Sequence, residues 1–271
     1  MKVISLIHIS TPQSFDNCML MLRSARVGFP DSEIEVSINP TPALAGYCHI
    51  LRELTDLKGI KLTWNMEVVH HAEWIKDRVE EHDGALVIVD PDVHFWKSVE
   101  NWKFSSLLAG YLIPELWNDA TQCRSVSRLH TSLLWINDTV ALRAKIKELY
   151  PLCHDQRAAP FCPCDPYTPA VKFFQGEPIF WDTCAQLYHM VGGTHFSKEH
   201  WDCYDHLSSA SFYDLINEYL GKNENPLWTW THTEGAKNLE VLRRLSWPMT
   251  EAYIAEKVAQ GKSIKRKILD V

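Results

Sequence analysis

The chain has 271 residues, 46% of them hydrophobic and 23% charged, with a net charge of −7 at pH 7. That length suits one α/β domain, or one with an appended subdomain. The acidic balance supplies no basic field for broad nucleic-acid binding, and no window approaches 18 uninterrupted apolar residues, so no membrane span is predicted. Residues 1–9 are too short for a secretory apolar region, and the expected location is the cytoplasm. In such a compartment the eight cysteines read as free thiols rather than a disulfide frame. Cys153, His154, Cys162 and Cys164 cluster closely enough to raise a zinc site, but Cys-His-x7-Cys-x-Cys is not a common zinc spacing.

In chain order, residues 2–9 predict a first buried strand, broken by Ser10, Thr11 and Pro12. Residues 15–27 carry apolar side chains at helical spacing, with Ser14 as a helix cap and Gly28 and Pro30 as the stop. Residues 33–38 alternate and meet Asn39 and Pro40, which gives a second strand. A helix is expected over 43–57, a third strand over 60–65, and an amphipathic helix over 70–81 with Ala72, Ile75 and Val79 inside. This β-α-β rhythm argues for a parallel sheet with right-handed crossovers. The chain has neither a Gly-x-Gly-x-x-Gly fingerprint nor a Gly-Lys-Ser/Thr phosphate loop, which argues against a dinucleotide or P-loop enzyme.

The fourth strand carries the chemistry. Residues 85–89 are a continuous apolar run bounded by Gly84 and Pro91, the pattern of a strand buried on both faces. Asp90 and Asp92 follow at its carboxyl end, separated by Pro91. In an extended turn, residues i and i+2 point to one side, so both acids can face one spot. Two close carboxylates call for a positive partner, and hard oxygen ligands suit Mg²⁺ or Mn²⁺ on a phosphate-bearing ligand. Carboxyl ends of strands are where open α/β sheets place their ligands.

After the acids, His94, Phe95 and Trp96 form an aromatic exit. Residues 107–117 predict a strand or strand pair, and residues 128–137 a further strand, with His130 and Ser132 on one face. Asp138 is expected to cap a helix through residue 149. Residues 151–169 form a proline-rich loop, and helices are expected over 212–220, 234–245 and 250–260, ahead of the basic run 262–267.

An Asp-x-Asp ending a buried strand about a third of the way along resembles the nucleotide-sugar-dependent glycosyltransferases of the GT-A fold, over residues 1–140 in the main. The resemblance implies a GT-A-like (Rossmann-like) mostly parallel twisted sheet flanked by helices, with a helical C-terminal part. It implies one domain over 1–271: a nucleotide-binding half, 1–95, and an acceptor-binding half with the C-terminal helices, 96–271. It also implies transfer of a sugar from a nucleotide-diphosphate donor, UDP favoured, to an acceptor that is a glycan, a lipid precursor, a protein or a modified nucleic-acid base. Ser10, Thr11, Asn39, Asp90 and His130 are then candidate donor contacts. Asp90, Asp92 and His206 would hold Mn²⁺ or Mg²⁺, with His195, His200 and His232 as other late histidines for that place. Glu177 is the first candidate for general base and Asp182 the second, although Asp182 stands where a helix N-cap belongs. The alternatives are a nucleotidyltransferase, for which the Gly-rich loop with Lys is missing, and a non-catalytic or zinc-stabilised α/β interaction module.

Overall fold

The computed structural model describes residues 1–9, 12–118, 123–153, 165–174 and 177–206. Its first half alternates as the apolar runs dictate: β1 (Lys2–Ile7), α1 (Pro12–Gly28), β2 (Glu33–Ile38), α2 (Cys48–Leu57), β3 (Lys61–Trp64), α3 (His71–Glu81) and β4 (Leu86–Val89). After β4 come β5 (Val93–Phe95), β6 (Leu108–Ile113), β7 (Leu116–Asn118), β8 (Cys123–Ser125), β9 (Arg128–Ile136) and α4 (Thr139–Cys153). The remaining described elements are β10 (Ala170–Phe174), β11 (Glu177–Trp181), α5 (Ala185–Val191), β12 (Thr194–His195), α6 (Lys198–Trp201) and β13 (Tyr204–His206).

Seven strands form one mixed, mostly parallel sheet in the order β12-β6-β9-β4-β1-β2-β3, flanked by helices. β2 and β3 pair in parallel, while β9 runs antiparallel to both β4 and β6. A four-stranded sheet follows the order β10-β11-β8-β7, and β13 pairs with β5 alone. This is the α/β arrangement, a mostly parallel sheet flanked by helices, that the sequence led us to expect. Among the described residues, no helix is long and apolar enough to cross a membrane.

By internal compactness the chain falls into two units. One comprises Met1–Lys2, His70–Val89 and Trp102–Ser197. In it the side chains of β4 are at most 2% exposed, as a strand covered on both faces requires. The turn before β4 is tied to the start of α4: Thr139 N–H donates to the Gly84 carbonyl at 3.0 Å, and Gly84 N–H to the Thr139 hydroxyl at 3.2 Å. Arg143 adds hydrogen bonds to the carbonyls of Val79 and His82. Asp138 caps α4 as expected, its carboxylate accepting from Ala141 N–H at 3.0 Å.

The other unit comprises Val3–Val69, Asp90–Asn101 and the described residues from Lys198 onward. Its core gathers Ile4, Ile7, Met21, Leu22, Ile38 and Leu51, each at most 1% exposed. Arg26 binds the ends of two helices together: its guanidinium donates to the carbonyls of Lys58 (2.7 Å), Gly59 (2.5 Å) and Ser32 (2.7 Å). Carbonyls left over at helix ends are thereby satisfied by one planar fork.

Several local expectations are corrected. α1 starts at Pro12, not after a Ser14 cap, because proline has no N–H to lose in a first helical turn. The helix expected over 43–57 is two pieces, a 3₁₀ turn Pro42–Gly46 capped by Thr41 and then α2, with Tyr47 between them. Of the two readings of 107–117, the strand pair holds, and its two strands join different sheets. The helices expected over 212–220, 234–245 and 250–260, and the basic run, lie outside the described residues.

Candidate functional site

The acidic turn belongs to the unit that carries β5 and β13. Val93 N–H donates to the Asp90 carbonyl at 3.1 Å, closing a β-turn with Pro91 in its second position, where a fixed φ is favoured. The stretch 90–92 is thus a closed turn rather than an extended one. Asp90 is half-buried and Asp92 is 5% exposed. β5 then runs inward, its three side chains at most 1% exposed.

β13 pairs antiparallel with β5, bringing Tyr204 opposite Phe95, Asp205 opposite His94 and His206 opposite Val93. The pairing is extended by Trp96 N–H to the Cys203 carbonyl (2.8 Å) and by the Trp96 indole N–H to the Asp205 carboxylate (2.7 Å). Its consequence is a contact across a wide sequence interval: His206 Nε2 lies 3.4 Å from Asp92 Oδ1. His206 therefore lies on a strand, β13, opposite Val93.

His94, two residues after Asp92 and opposite Asp205, is 0% exposed. Burial lowers its pKa to about 4; Asp92 and Asp205 act against that shift and His206 with it. Neither ring nitrogen makes a hydrogen bond among the described residues; a backbone group of Asn17 lies near enough to favour the charged ring but not in bonding geometry. His94 is thus a neutral imidazole at neutral pH. Sequence reasoning passed it over, though its place two residues after Asp92 in a strand was the available signal.

The other candidates are distributed as follows. Ser10, Thr11 and His232 lie outside the described residues. Asn39 is 3% exposed and committed to its own backbone: its amide donates to the Val69 carbonyl and accepts from Val69 N–H, both at 3.0 Å, and from Asn65 at 2.9 Å. It clamps the segment after β3.

His130, Asp182, Glu177 and His195 belong to the other unit. His130 Nδ1 accepts from Ser132 N–H at 3.0 Å. Asp182 does not cap α5 with its side chain; it pairs with Arg128 at 2.7 Å and accepts from Thr183 N–H at 2.8 Å. The cap position is Cys184, held at φ 60°, in the left-handed region. Glu177 opens β11 opposite Phe174. His195 Nε2 lies 2.9 Å from the Tyr188 hydroxyl. His200, in the unit of β13, has its pKa lowered by burial, with Glu199 opposing.

Of the proposed metal set, Asp92 and His206 come together, with Asp90 on the same turn. Among the described residues, no three His, Cys, Asp or Glu side chains form a metal-binding group. The zinc candidates Cys153, His154, Cys162 and Cys164 are not covered: His154, Cys162 and Cys164 lie outside the described residues, as does the side chain of Cys153. Cys18, Cys48, Cys184 and Cys203 are free thiols.

No family model matches the chain, and a search of curated proteins gives no match. Among solved structures it is similar to the glycosyltransferase GlyE of Streptococcus pneumoniae, at 11% identity and a TM-score of 0.41 over 97% of this chain and 64% of that one. It is also similar to the bifunctional glycosyltransferase WbbM, at 10% identity and a TM-score of 0.42 over 72% and 38% of the two chains. A third likeness is to the 4-diphosphocytidyl-2C-methyl-D-erythritol synthase of Anaerococcus prevotii, at 10% identity and a TM-score of 0.42 over 81% and 96%.

Proposed function

We propose that the chain is a metal-dependent glycosyltransferase that moves a sugar from a nucleotide-diphosphate donor, a UDP-sugar by preference, to an acceptor hydroxyl. The observation that supports this most is the pairing of Asp92 with His206 at the turn after a buried strand. One carboxylate oxygen and one imidazole nitrogen are a donor set that suits Mn²⁺, and carboxylates with phosphate oxygens suit Mg²⁺. Two protein ligands are enough for a cation that takes the rest of its shell from a diphosphate and water. Asp92 and His206 would hold the ion, and Asp90 would hold it or the donor's ribose, directly or through water. When bound, the cation offsets the charge that develops on the departing diphosphate.

The remaining roles fall to residues of this chain. In an inverting reaction a carboxylate takes the proton of the acceptor hydroxyl. Asp182 already accepts from Arg128 and from Thr183 N–H. That leaves Glu177 as the first choice for the base.

Calorimetric titration of UDP, GDP, CDP and ADP, with and without Mn²⁺, tests the reading on the wild type, Asp92→Asn and His206→Ala. The expected result is Mn²⁺-dependent binding of one nucleotide, weakened at least about tenfold in either variant. Binding by none of them at millimolar concentration would end the proposal. So would binding that is indifferent to Mn²⁺ and to both substitutions.

A further inference from the structure

A second concavity lies away from the acidic turn, in the unit of α1, α2 and β5. Its volume is about 350 Å³. That is the lower end of the range in which small ligands are held. Val27 of α1, Leu54 of α2, and Phe95 and Trp96 of the β5 exit give it apolar walls. Ser24 also reaches the lining, but its hydroxyl donates to the Met21 carbonyl at 3.1 Å. The Trp96 indole N–H is committed to Asp205. The side-chain polar groups left for a ligand are the guanidinium of exposed Arg23 and the ammonium of half-buried Lys58. Neither has an ion-pair partner among the described residues.

Two cations in the lining of an aromatic and aliphatic cavity favour a ligand of negative charge. An anion would meet one fork and one point charge. An indole and a phenyl ring suit a flat apolar body. We infer that this cavity is a second small-molecule site, for an organic anion with an apolar, preferably aromatic, body: the carboxylate, sulfonate or phosphate head at Arg23 and Lys58, the body against Trp96, Phe95 and Leu54. The site is independent of the glycosyltransferase reading. It is joined to the acidic turn by one physical link, since the Trp96 wall holds Asp205, the neighbour of His206.

The test uses 2-naphthalenesulfonate as the probe and neutral 2-naphthalenemethanol as its control, each titrated calorimetrically into the full chain. The sulfonate is expected to bind at least about tenfold more tightly than the alcohol. The double variant Arg23→Gln/Lys58→Gln, whose changes are in the cavity lining, is expected to lose that preference. Val27→Trp, which fills the cavity, is expected to abolish binding of both probes. Asp92→Asn is expected to leave sulfonate binding unchanged, which separates this site from the acidic turn. Equal binding of the two probes, no binding at about 10 mM, sulfonate binding that survives removal of both cations, or binding lost in Asp92→Asn would each overturn the inference.

Discussion

Gly28, at the end of α1, is the position where one methyl group should disturb the site from behind. A Cβ built there would lie 2.6 Å from Phe95 Cγ and 2.8 Å from Cδ1, well inside van der Waals contact. The ring has little freedom to recede. Phe95 is 1% exposed, edge-on to Phe29 at 5.1 Å and tilted against Tyr204 at 6.3 Å. Overpacking of this kind costs about 1–3 kcal/mol. Alanine recovers part of that, up to about 1 kcal/mol, through helix propensity, and less than that at a helix end. Gly28→Ala should therefore lose about 1–2 kcal/mol, seen as a lower urea midpoint by circular dichroism and a melting temperature lower by about 2–8 °C. Phe95→Ala removes the clashing atoms, Cγ included, and should itself cost about 3–5 kcal/mol. Combined, the two changes should cost less than their sum by about 1 kcal/mol, because they remove one shared collision. A Gly28→Ala variant as stable as the parent, or strict additivity in the cycle, would refute the packing argument.

Three further outcomes follow from the buried polar groups and thiols. Burial holds the folded pKa of His94 at about 4, below the ordinary imidazole value of about 6.5, so the unfolded chain binds more protons between those values. The contribution is full above about pH 6.5 and is lost as pH falls to about 4, by about 3 kcal/mol at most, and His94→Leu should flatten that slope in metal-free urea titrations. Asn39→Leu leaves Val69 N–H and carbonyl without their partner and should cost about 2–3 kcal/mol, with faster proteolysis beside Met66, which is 94% exposed. Among the cysteines whose side chains are described, brief iodoacetamide treatment of the native chain should label Cys48 and Cys203 and spare Cys18 and Cys184; buried Cys18 has its thiol pKa pushed up by desolvation, and mass spectrometry reads the sites.

Elements whose signals are local could be read from the chain alone. Glu33–Ile38 was found at both ends because an alternating run is stopped by Asn39-Pro40. β4 was legible because five apolar residues in a row stand between Gly84 and Pro91, and α3 because Ala72, Ile75 and Val79 repeat at helical spacing. Where the outcome depends on a distant partner, the reading failed. Helical propensity runs smoothly from 43 to 57, yet Tyr47 interrupts it and stacks on Phe15 at 4.0 Å. The stretch 107–117 left one strand or a strand pair open, and only pairing with β9 and β8 decides for two strands in two sheets. Asp182 has the local look of a cap, but Arg128 claims its carboxylate.

The acidic turn shows the same division within one site. Asp90, Pro91 and Asp92 announce themselves by spacing. His206 does not, since a three-residue strand has no signature of its own and exists because β5 offers it a partner. That dependence ties the chemistry to the packing behind it. The position of His206 relative to Asp92 is set by the β5–β13 register, and the register rests on Phe95 against Gly28 and on Trp96 bonded to Asp205. Charge follows the same logic. An imidazole donates a lone pair to a cation only when it is neutral, and a protonated ring beside Asp92 would occupy the carboxylate in its place. Because His94 is buried it stays uncharged down to about pH 4, so it adds no positive charge beside Asp92. The negative potential of the turn is then not offset by a charge on His94.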